Sequence, residues 1–201
     1  MSFLRNLFVF FLFLGYFLLI FKQYPLGNSL PGNSDAIFNL AIFEDYGNRA
    51  ISLFSGDKIG NAFYPEESFQ EFTELYIGHA LIYNFFHIFT KNPILCYYLF
   101  VSVLYSLNGW AAYLLSFYFT KKNLPSIVAG LVLSSSSFAF SQIELLNGLP
   151  FAPFCISLLF LMKYLKNQNL KFLVLSSLFA AMQFYFSNYI FVYLIVVSSL
   201  S

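Results

Sequence analysis

A carboxylate placed just after a membrane anchor can take a proton from an acceptor hydroxyl at the lipid surface, and Asp35 occupies such a place. It follows the turn-forming residues Pro31-Gly32-Asn33-Ser34 and precedes the apolar stretch Ala36 to Phe43. Ser34 or Asp35 is therefore also a natural helix cap, worth about 1 kcal/mol. The cap is the plainer of the two roles. Glu44 and Asp45 close the same apolar stretch, where an adjacent acidic pair is ordinarily a solvated feature of a surface helix. Arg49 and Lys58 are the only cations deep in this part of the chain, where they can pair with the surrounding acids. His79, Tyr83 and His87 recur at steps of four and so share one helical face. In a membrane helix such a face turns toward the bundle interior or a watered cavity, for interhelical hydrogen bonds, for substrate, or for a metal.

The elements that position these groups follow from composition. Of 201 residues, 59% are hydrophobic and only 9% charged, against about 25% charged in an ordinary soluble domain. So few charges cannot cover a soluble surface, whereas lipid accepts an apolar exterior. The chain is thus expected to be all-α: a polytopic membrane bundle of about five to six segments. A formal net charge of +1 gives no strong attraction to nucleic acid, and none is expected as a partner. Cys96 and Cys155 sit in apolar runs and read as small buried hydrophobes, with neither disulfide nor metal spacing.

Residues 1–21 read as the first transmembrane helix, just long enough at about 1.5 Å per residue. The following Lys22-Gln23-Tyr24 offers no small-residue cleavage site, so a retained anchor is expected. Residues 22–76 form an acidic extracytoplasmic loop with juxtamembrane helices. It holds eight of the nine acids against three bases, a formal −5. Residues 77–201 read as closely spaced membrane helices: Ile77 to Thr90, Ile94 to Thr120, Ser126 to Ser141, Leu149 to Tyr164 and Phe172 to Ser199. The apolar run reaching Ser199 without a polar tail suggests the amino-terminal part of a longer membrane protein. If every segment crosses, the Lys121-Lys122 and Lys163 to Lys171 breaks share a side with the acidic loop, against the positive-inside tendency. A re-entrant Ile77 to Thr90 is the alternative.

The layout resembles the amino-terminal part of GT-C-type glycosyltransferase-like membrane proteins, including the YfhO-like group. The resemblance lies in Gly32-Asn33-Ser34-Asp35-Ala36-Ile37-Phe38-Asn39-Leu40, then Phe63-Tyr64-Pro65 and Gly78-His79-Ala80-Leu81. Lys91-Asn92-Pro93, Asn108-Gly109, Ala129-Gly130-Leu131 and Asn188-Tyr189 continue it in order. It implies transfer of a sugar from a polyprenyl-phosphate carrier on the outer face of the membrane. An acid of the first external loop, here Asp35, would act as catalytic base or help hold a metal. Glu44, Asp45, Arg49, Tyr64 and His79 are the candidate substrate contacts, and a divalent cation is a candidate cofactor. Two departures stand out. Ser34 replaces the glycine usual before the aspartate, and the family's later helices and carboxy-terminal domain are not among these 201 residues. A non-enzymatic protein that moves a lipid-linked substrate would instead show broken helices and ionisable groups near the bilayer midplane. Between Ile94 and Ser201 only Glu144 and lysines at expected helix ends are ionised. A partner in envelope assembly is a third class.

Overall fold

The computed structural model describes residues 2–22, 30, 34–48, 76–143, 145–146 and 148–199, with the backbone alone for Ser2, Ser34 and residues 45–48. Among these residues every regular element is helical. The order is α1 (Ser2–Phe21), α2 (Ser34–Asn48), α3 (Ile77–His87), α4 (Pro93–Thr120), α5 (Asn123–Ser134), α6 (Ser137–Ser141), α7 (Ala152–Asn167), α8 (Leu170–Phe186) and α9 (Asn188–Ser199). Three stretches are long and apolar enough to cross a membrane: Phe3–Phe21, Pro93–Thr120 and Asn123–Ser141. Their outward side chains, such as Leu4, Phe8, Val128 and Val132, stand exposed, as expected of a surface that meets lipid.

Helix α4 is the axis. Asn92 caps it by accepting from the Ile94 and Leu95 amides, and Pro93 fills the first position, where its missing N–H costs nothing. It ends at Lys121 in the left-handed conformation, φ 56°. Its 28 residues extend roughly 42 Å, about 12 Å more than a hydrocarbon core. Helix α1 lies antiparallel along its carboxy-terminal part. The Trp110 indole donates to the Asn6 carbonyl at 2.9 Å, and Phe17 and Phe21 pack on Tyr105 at 5.1 and 5.3 Å. Small residues allow close approach of α1, α4 and α5. A Cβ on Gly109 would meet the Phe13 ring at 2.7 Å, and one on Gly130 would run into the Gly109 carbonyl.

The chain then doubles back beside α4. Tyr105 donates to the Ala139 carbonyl at 2.6 Å, and Tyr97 to that of Ile143 at 3.2 Å. The Ser136 hydroxyl accepts from the Ala139 amide, so the expected single helix over Ser126 to Ser141 is broken at Ser135-Ser136. The helix expected over Leu149 to Tyr164 begins three residues late, at Ala152, and deep inside the bundle. Asn108, in the middle of α4, accepts from the Phe151 and Ala152 amides, each at 2.9 Å, and donates to the Leu149 carbonyl. One asparagine thus satisfies a helix start that lipid could not. Helix α7 runs alongside the second half of α4, where Tyr118 donates to the Met162 carbonyl at 3.4 Å. Helix α8 returns, interlocked with α7 by Ser157 and Ser176, each donating to the other's carbonyl at 2.9 Å. The single helix expected over Phe172 to Ser199 is corrected to two. Extended backbone at Ser187 (φ −158°, ψ 118°) separates α8 from α9.

Candidate functional site

Because α4 outreaches α1 by about two turns, its first residues need other cover, and α2 and α3 provide it. Helix α2 buries Ala36, Asn39, Ile42 and Phe43 and exposes Asp35, Ile37 and Ala41, the one-sided pattern expected of a surface helix. Phe43 is the plug. Its ring lies 5.3 Å from Phe100, 5.4 Å from Tyr83 and 6.3 Å from both Tyr76 and His79. Asn84 of α3 donates to the Phe43 carbonyl at 3.0 Å and to the Ala80 carbonyl at 2.9 Å. This side chain joins the two helices at the point where Phe43 enters.

On the rim of this plug sit three groups capable of chemistry. The Tyr83 hydroxyl donates to the Glu44 carboxylate, and His87 Nε2 lies 3.6 Å from the same carboxylate. The Tyr83 and His87 rings stack at 6.1 Å. Burial first, and then the Glu44 contact, push the Tyr83 phenol well above its ordinary range. It therefore stays protonated and acts as a donor that orients the carboxylate. Glu44 and His87 keep 32% and 26% of their side-chain surface exposed. Their contact is partly exposed to solvent, worth under about 1 kcal/mol, and open to an incoming ligand.

His79 is different in kind. It is fully buried among Phe43, Tyr76, Phe100 and Phe186, the last three at ring distances of 5.4, 5.8 and 5.3 Å. Neither ring nitrogen has a hydrogen bond of good geometry. Burial lowers its pKa to about 3, with the nearby Leu146 backbone opposing the shift. At neutral pH it is an uncharged member of an aromatic box, closed to any substrate in this conformation.

The candidate residues therefore do not form one constellation. Asp35 lies exposed in the first turn of α2, free to meet a molecule at the surface. Nine residues separate it from Glu44, about half a helical turn in rotation and roughly 13 Å along the axis, so the two carboxylates face apart. Asp45 belongs to α2, but its side chain lies outside the described residues, as do Arg49 and Tyr64 altogether. The expected shared face of His79, Tyr83 and His87 exists, but burial divides it into a closed end and an open one. Among the described residues, no three His, Cys, Asp or Glu side chains gather as a metal site would require. Cys96 and Cys155 are free and buried. No family model, no curated protein and no solved structure matches the chain.

Two working residues escaped the reading of the sequence. The polar group of Gln183, 0% exposed, accepts from the Phe154 amide at 2.9 Å and helps Asn108 hold the start of α7. The signal for both was present: an amide side chain in the middle of a long apolar run has to find a partner there.

Proposed function

We propose that the chain is the amino-terminal, multi-pass part of a GT-C-type glycosyltransferase of the cytoplasmic membrane, taking its sugar from a polyprenyl-phosphate carrier on the outer side. The observation that carries this reading is the seating of α2, with one open and one oriented carboxylate, across the end of α4 that outreaches a lipid core. The ordered short motifs support it as well. Asp35, exposed at the membrane boundary, is the candidate base for the acceptor hydroxyl, and Glu44 with His87 is the candidate sugar or phosphate contact. Arg5, Lys121, Lys122, Lys163, Lys166 and Lys171 all belong to the opposite end, which supports a cytoplasmic side there by the positive-inside tendency.

Asn matches Asp in size but cannot accept a proton as a base, so Asp35→Asn removes the chemistry while leaving a side chain of the same shape in the first turn of α2. In the complete protein, labelled-sugar transfer from the polyprenyl-phosphate donor should fall at least about 100-fold, the lower bound for a lost general base. Unchanged transfer at normal expression would remove the assignment.

A second reading, movement of a lipid-linked substrate without chemistry, gains from one observation. Helix α7 starts inside the bundle at Asn108, and α8 breaks from α9 at Ser187, a broken-helix pattern found where substrates cross. That reading expects the carrier's headgroup to change leaflet in vesicles with no sugar transferred and no dependence on Asp35.

A further inference from the structure

We propose that Lys121 and Lys163 form a binding site for the phosphate of an anionic phospholipid, at the end of the bundle away from α2 and α3. The two lysines come from different elements. Lys121 closes α4, its Nζ 4.7 Å over the Tyr118 ring. Lys163 rises from α7, its Nζ 5.0 Å over Phe160 and 5.8 Å over Phe172. The Tyr118 hydroxyl, bonded to the Met162 carbonyl, ties α4 to α7 between them. That bond sets both lysines at the same end of the α4–α7 seam, and among the described residues neither has a carboxylate partner.

Two like charges, each resting on an aromatic ring where α4 and α7 are tied together, call for a shared anion. Arg5 reinforces the field from the neighbouring helix. Its guanidinium lies 4.1 Å over Phe117, one turn before Lys121, with Nε buried and unpartnered. Lys122, Lys166 and Lys171 flank the same surface, while the described acids, Asp35 and Glu44, lie at the other end. Lys121 directly follows the long apolar α4 and Lys163 lies close to the end of α7, positions from which long cationic side chains reach lipid phosphates. A headgroup with net negative charge, such as phosphatidylglycerol, fits; zwitterionic phosphatidylcholine does not. The site is independent of any catalytic role for α2.

The test is lipid retention by the complete chain purified in neutral detergent and read by native mass spectrometry. Phosphatidylglycerol, phosphatidylcholine and inorganic phosphate are added separately and in competition. The wild type should retain phosphatidylglycerol selectively, with inorganic phosphate failing to displace it. Each lysine-to-glutamine change should weaken retention roughly five-fold, as expected for one basic residue at a charged lipid surface. The Lys121→Gln/Lys163→Gln pair should lose both increments, and Lys121→Arg/Lys163→Arg should keep them. Lys22→Gln with Lys91→Gln, at the other end, should change nothing. Equal retention of phosphatidylcholine, displacement by inorganic phosphate, or undiminished binding by the glutamine pair would each overturn the proposal. The wild-type comparison alone decides it if a variant fails to fold.

Discussion

At the amino-terminal end of α4, Tyr97 and Phe100 are wholly buried beneath Phe43 of α2, whereas at its carboxy-terminal end Phe119 is 63% exposed and Lys121 and Lys122 lie open. One helix therefore finishes in two ways. The first end is longer than lipid can cover, so it is roofed by an aromatic layer in which one ring, Phe43, touches both short helices and α4. The second end stops near the expected boundary and is marked only by cations resting on rings. The difference shows where this fold invests in specific packing. A carboxylate can be aimed only where a roof holds it, as Tyr83 holds Glu44, while the basic end needs charge and depth but little shape.

Substitutions can break this contrast at graded cost. The largest loss is expected from Asn108→Ala, which strips partners from two amides and a carbonyl in the bundle interior. At about 1–3 kcal/mol per unsatisfied group, the variant should lose roughly 4 kcal/mol in reversible unfolding from detergent micelles. Phe43→Ala empties the roof and should cost about 3 kcal/mol. Limited proteolysis should then cut within α2 while the basic end stays protected. Lowering pH should also act on the roofed end, through His79. His79 has a pKa of about 3 in the fold against 6.5 free, so between those values the unfolded chain takes a proton that the fold refuses. Stability should fall as pH drops below about 6.5, by on the order of 2 kcal/mol at pH 5 from this group. His79→Phe should remove that share of the slope, seen by comparing melting at pH 7.5 and 5. The smallest effect is expected from Glu44→Gln, under about 1 kcal/mol, because Tyr83 keeps an acceptor and the pair with His87 is partly exposed.

Much of this architecture was legible in the residues. The apolar first helix, a helix beginning near Ser34 and Asp35, the long apolar α4 and the buried cysteines follow from hydropathy, turn and capping chemistry, and apolar context. What escaped depends on long-range partners. Nothing local says that the residues before Ala152 will meet Asn108 more than forty positions earlier, or that Ser187 will turn extended inside a continuous apolar run. The fate of His79 was hidden for the same reason. A histidine spaced with Tyr83 and His87 looks like a polar stripe until Phe43, Phe100 and Phe186 close around it. Asp35 was the easiest residue to place, since its exposure and first-turn position are local properties.

The central claim is that α3 roofs the bundle and does not cross it, since its 11 residues reach only about 16 Å. Single cysteines at Lys22→Cys and Lys91→Cys flank the acidic segment and α3, and a third at Lys122→Cys follows α4. Each is placed in a Cys96→Ala/Cys155→Ala background and labelled in sealed vesicles with a membrane-impermeant maleimide. The account predicts that positions 22 and 91 label from one side and position 122 from the other. Labelling of 22 and 91 from opposite sides would mean that α3 spans, and the roofed end, with the site built on it, would not exist.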